Sequence, residues 1–92
     1  MTSPIPLDAT AQKMVTLVKE HLAQQLGTPI EQITLLEVKP TMWRDASLGC
    51  PKPSIDYIPM EIPGYSIVLD AGGRTHNYHT DQANRFVMCN RP

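Results

Sequence analysis

Ala11, Met14, Val15, Val18, Leu22 and Leu26 recur at steps of three and four residues, drawing one apolar stripe along a helix predicted over residues 8–26. A helix of this kind is stable only when its stripe is buried, so the rest of the chain must supply a matching apolar face. Its ends are marked as well. Asp8 or Thr10 offers an N-cap oxygen, Gly27 is placed to close the last turn, and Thr28-Pro29 breaks the pattern.

Beyond the helix the chain reads as strand. A strand is predicted over 30–42, with Ile33 and Leu35 on one parity and Leu36 and Val38 on the other, so that both faces are expected to be partly covered. Pro40 is expected to limit its far end. Residues 43–63 read as one long loop, because Pro51, Pro53, Pro59 and Pro63 interrupt any ladder. Past Pro63-Gly64 the alternation is regular, with strands expected to fill 64–90. Tyr65, Ile67 and Leu69 alternate, Ala71-Gly72-Gly73 turns, Thr75 to Thr80 returns, and Arg85 to Cys89 makes a last strand. Strands that succeed one another through short turns imply an antiparallel sheet. The expected class is α+β: one amphipathic helix at the amino end, packed on about four antiparallel strands, in a single domain with a loose lead-in at 1–7.

Length and charge narrow the function classes. Ninety-two residues provide one core, and 41% apolar against 18% charged residues is ordinary globular composition. A net charge of −1 gives no field to hold nucleic acid or an anionic membrane, and no apolar run is long enough to insert in a bilayer. The start Met1-Thr2-Ser3-Pro4-Ile5-Pro6 lacks a basic region followed by an apolar one, which favours the cytoplasm, while a mature secreted form would read the same way. A monomer without cofactors is expected.

Trp43 to Pro53, Trp-Arg-Asp-Ala-Ser-Leu-Gly-Cys-Pro-Lys-Pro, concentrates the unusual residues: the only Trp, one of two Cys and two of nine Pro. Trp43 is expected to close the open end of the core, and Asp45 to accept the backbone N–H groups of Ser47 and Leu48 in a local turn. Trp43, Asp45, Gly49, Cys50 and Cys89 are therefore read as structural residues.

This run, together with Pro63-Gly64-Tyr65-Ser66-Ile67-Val68-Leu69, Tyr78-His79-Thr80-Asp81 and Cys89, resembles a family of small uncharacterised bacterial proteins found in cyanobacteria and Chloroflexi. The likeness covers most of residues 9–90, and it implies no particular activity. Many members of that family carry Ser where this chain has Ala46 and Gly where it has Ser54. The helix-then-strand front half also resembles PepSY domains, a likeness that implies a binding or inhibitory role.

The two cysteines allow one pairing. A Cys50–Cys89 bridge would fasten the long loop to the last strand and, by closing about 40 residues, stabilise the fold by roughly 4 kcal/mol on the chain-entropy estimate. Buried neighbouring thiols are the alternative in a reducing compartment. A metal site is not expected: two cysteines lack further ligands, and His76 and His79, three apart on a strand, leave opposite faces of the sheet. His79 and Asp81 share a parity, so a histidine–carboxylate pair is open to them, though a strand-end histidine more often satisfies backbone groups. A thiol enzyme or redox sensor built on Cys50, His79 and Cys89 is the alternative function. Against catalysis, Pro51 removes the N–H that most often serves as oxyanion donor beside a nucleophile.

Ile55, Tyr57, Ile58, Met60 and Ile62 form a proline-spaced apolar run that the periodic core does not require, and with Tyr65 they are the expected binding residues. Prolines pre-order such a segment and lower the entropy lost on docking it. The expected function is a non-enzymatic protein-binding or inhibitory module presenting the 53–63 segment to an unidentified protein. A protease is one candidate target, with Met60-Glu61 as an exposed bond.

Overall fold

The computed structural model describes residues 8–89, so the lead-in expected at 1–7 lies outside the described residues. The helix α1 (Ala9–Leu26) is followed by a short 3₁₀ turn (Ile30–Gln32) and four strands: β1 (Ile33–Asp45), β2 (Pro59–Ala71), β3 (Arg74–Asp81) and β4 (Phe86–Met88). The strands form one antiparallel sheet in the order β1-β2-β3-β4, and α1 packs on one of its faces, giving the expected α+β architecture.

The ends of α1 are set by its caps. The Asp8 carboxylate accepts the Ala11 N–H at 2.7 Å. At the other end Gly27 takes φ of 64°, and the N–H groups of Gly27 and Thr28 both reach the Ala23 carbonyl. Ala11, Met14, Val15, Val18 and Leu22 are buried as the stripe requires, but Leu26, in the last turn, is 46% exposed.

Against the stripe stand Ile33 of β1, Tyr65, Ile67, Leu69 and Ala71 of β2, and Tyr78 of β3. Met14, Val18, Leu22, Ile67 and Leu69 are each almost wholly buried, and every such aliphatic side chain contributes about 1.5–3 kcal/mol of apolar transfer. Tyr78 is fully buried too. Its hydroxyl meets His21 Nδ1 at 2.8 Å, and the two rings share a T-shaped cluster with Phe86 that secures the three-residue β4.

Two features of β1 depart from the expectation. The register passes from Leu35 opposite Leu69 to Glu37 opposite Val68, so Leu36 is an inserted bulge residue. The insertion reverses the parity, placing Ile33, Leu35 and Val38 on the helix face together and leaving Leu36 48% exposed. Nor does Pro40 end the strand. Because β1 is an edge, a residue without an N–H can sit opposite Tyr65 and break no second ladder.

The loop expected over 43–63 is correspondingly shorter. Trp43 pairs with Ile62 and Asp45 with Pro59, while β3 begins to pair with β2 only at Gly64. Residues 41–45 and 59–63 thus form a two-stranded ribbon extending past the four-stranded sheet, where Pro59 and Pro63 meet a neighbour on one side alone. Residues 46–58 connect the two arms.

Candidate functional site

Side chains on the face away from α1 build a second, smaller cluster. Trp43 on β1 and His79 on β3 stack with ring centroids 4.5 Å apart and planes 22° from parallel. The indole N–H crosses β2 to reach the Thr80 carbonyl at 2.8 Å. Gly64 makes the crossing possible: a Cβ there would run into the Thr80 carbonyl and lie 2.8 Å from the indole nitrogen. Gly49 lies at the benzo edge of the indole, beside the stack, where a Cβ would approach the ring to 2.7 Å and His79 Nδ1 to 3.4 Å. Trp43 is therefore a half-buried clamp on the outer face, and it does not close the end of the helix-side core as expected.

The start of the connection folds onto this clamp through consecutive turns. Asp45 accepts the Ser47 N–H at 2.9 Å and the Ser47 hydroxyl with its carboxylate, and its backbone carbonyl takes the Leu48 N–H at 3.2 Å. Those two bonds from Ser47 hold the Asp45 carboxyl below its ordinary pKa. The expectation for this turn holds for Ser47, while Leu48 binds the carbonyl in place of the carboxylate. Leu48 and Gly49 then take φ of 56° and 75°. For Leu48 that conformation is strained, and it is held because the side chain is buried and its carbonyl accepts from His79 Nδ1 at 2.6 Å. A carbonyl only accepts, so Nδ1 carries a proton.

One residue later the disulfide Cys50–Cys89 locks the arrangement, with Cα atoms 5.9 Å apart. Cys89 leaves β4 on the outer face, its N–H bonded to the Asn77 carbonyl at 2.7 Å.

These contacts engage each group of the thiol reading. Cys50 and Cys89 are bonded to each other, and His79 faces Leu48 and Trp43. The Asp81 carboxylate accepts the backbone N–H groups of Ala83, Asn84 and Arg85, closing the β3–β4 turn, so it does not orient His79. His76 lies on the helix face and His79 on the outer one, and no group of three metal-ligating side chains exists among the described residues.

The expected binding residues divide. Ile55, Ile58 and Met60 are exposed, Ile58 by 81%. Tyr57 is half-buried, its hydroxyl oxygen accepting the Lys52 N–H at 3.3 Å, and Ile62 is half-buried beside Trp43 on the ribbon. Tyr65, only 4% exposed, belongs to the core under α1 with its hydroxyl donating to Asp8, and cannot be a contact residue. Desolvation, then the Asp8 charge, raises its pKa. The Met60-Glu61 bond lies inside β2, so it is not displayed on an open loop. The connection turns instead at the exposed residues 53–54, where Ser54 takes φ of 68°, a value that glycine adopts without strain. Sequence reasoning missed Met42, 56% exposed on the ribbon, which sat within the predicted strand with no visible partner.

Residues 15–89 match the family described as Domain of unknown function (DUF8738). The chain belongs to that family. The matched span takes in the whole sheet, the Trp43 clamp and both bridged cysteines. No curated protein and no solved structure matches the chain. In the described part of this DUF8738 domain no helix is long and apolar enough to cross a membrane.

Proposed function

We propose that this DUF8738 domain is a non-enzymatic binding module that offers the 53–63 segment to a protein partner. The observation carrying the proposal is the exposure of Ile55 and Ile58 on a connection, and of Met60 on the adjoining start of β2, where the base of the connection is held by a disulfide, an indole clamp and a strained turn. Exposed aliphatic side chains on a fixed base are what a partner can bury at low entropic cost. The bridge adds a setting to this reading. Disulfides persist in oxidising compartments and are rare in the cytosol, so the reading puts the domain outside the cytoplasm.

The test replaces Tyr57, Ile58 and Met60 with Ser, verifies an unchanged melting temperature, and compares partner capture from native extract with wild type. Loss of the captured protein is expected. Equal capture by the variant, together with a turnover abolished by Cys50→Ser or His79→Ala, would make the domain an enzyme instead.

A further inference from the structure

Between the connection and β4 lies a cleft of about 270 Å³, whose walls include Leu48, Ile55, Tyr57 and Phe86 and whose charged groups are Lys52 and Arg85. We infer that this cleft receives the carboxy-terminal residue of the partner chain, an apolar side chain seated among Leu48, Ile55 and Val87, which lines the cleft from the His79 face of β4, and its carboxylate held by Lys52 and Arg85. The inference rests on the protein-binding reading above and names the chemistry that the partner would bring.

Charge is the first argument. Two cations line the cleft and no carboxylate does. Of the acids on neighbouring segments, Asp45 is bound to Ser47 and Asp81 to the backbone of its own turn, and Asp56, between Ile55 and Tyr57, is exposed and does not line the cleft. Tyr57 adds a third donor. Its oxygen already accepts the Lys52 N–H, which leaves the phenolic proton to be given away, and an ionised carboxylate is the acceptor that suits a donor set of Arg, Lys and Tyr.

Size is the second argument. Small-molecule sites usually enclose ~300–1,000 Å³, so a cleft of this volume suits one residue better than a cofactor. Its wall is continuous with the exposed segment, since Ile55 lines the cleft and also stands 49% exposed. A chain end placed there would continue along the surface already assigned to the partner.

The probes are fluorescein-labelled hexapeptides identical but for the last residue (Ala, Val, Leu, Met or Phe), each made as the free acid and as the amide, and read by fluorescence polarisation. At least one acid should bind. Its amide, and the acid with Lys52→Glu or Arg85→Glu protein, should bind about tenfold more weakly or worse, the scale of one lost charge-assisted hydrogen bond. Both side chains project at the surface, so melting curves will show these variants folded. Amide shifts at Leu48, Tyr57 and Phe86 should mark the site by NMR. Absence of binding by every acid, equal binding of acid and amide, or indifference to both charge reversals would overturn the inference. A titration with 4-phenylbutyrate separates the sources: binding of that acid with none by the peptides would assign the cleft to free small acids. Should the Tyr57/Ile58/Met60 variant lose its partner while no peptide binds, the binding module stands and the chain-end inference alone fails.

Discussion

Trp43 and His79 lie face to face on the side of the sheet away from the helix, and each ring ties its stack to a backbone carbonyl, Thr80 for the indole and Leu48 for the imidazole. One pair of side chains thus joins the edge strand, the third strand and the connection. Replacing Trp43 with Phe keeps a ring over His79 but strands the Thr80 carbonyl, and should cost about 1–2 kcal/mol. Trp43→Ala should cost about 2–4 kcal/mol, less than emptying a fully buried aromatic site because the indole is half exposed. Urea unfolding monitored by circular dichroism measures both.

Gly64 is required by space and Gly72 only by backbone angle. A Cβ at Gly64 meets the Thr80 carbonyl and the indole nitrogen, whereas at Gly72, with φ of 62°, it meets nothing within 4 Å. Gly64→Ala should therefore destabilise by about 3 kcal/mol through overpacking. Gly72→Ala should lose only about 1 kcal/mol, the strain of a left-handed alanine. Equal losses would mean that the Thr80 carbonyl does not approach Gly64 as closely as the structure has it.

The Cys50–Cys89 bridge spans 39 positions of sequence, for which the chain-entropy estimate is about 4 kcal/mol. Reductant should lower the melting temperature, and alkylation of the unreduced protein should label neither sulfur even after denaturation. Labelling of the unreduced, denatured chain would show free thiols.

The helix was legible because its information is local: a 3.6-residue stripe, Asp8 at one end and Gly27 at the other. The ribbon was not. Prolines argue against a strand with neighbours on both sides, and whether Pro40, Pro59 and Pro63 have one neighbour or two depends on strand order, which no local pattern carries. The bulge at Leu36 misled in a similar way, since one inserted residue exchanges the faces of everything beyond it. Cys50 and Cys89 could be paired by counting. That His79 would meet the Leu48 carbonyl could not, because that contact joins residues 31 apart through a left-handed backbone at Leu48 that no local pattern marks.

Tyr78 supplies a pH test of the helix-side core. Burial pushes its phenol up to about 12, against about 10 in the unfolded chain. The neutral phenol is thus the form the fold favours. The stability it contributes is fully present below pH ~10 and is lost as pH rises from there towards about 12. Unfolding free energy should fall across that window, and Tyr78→Phe should flatten the fall. In a tyrosinate absorbance titration, Tyr78 should ionise late, with or after global unfolding.

The binding surface is probed best by two sets of substitutions at exposed apolar positions. Ile55, Ile58 and Met60 lie on or beside the connection, and Leu26 and Leu36 at the end of the helix and on the β1 bulge. Each set is changed to Ser in the oxidised protein, melting is matched, and affinity for the captured partner is measured by titration. The first set should lose at least tenfold, since a single good apolar anchor carries ~2 kcal/mol or more, and the second should bind as wild type does. Unchanged affinity in the first set, or an equal loss in both, would remove the 53–63 segment from the binding surface.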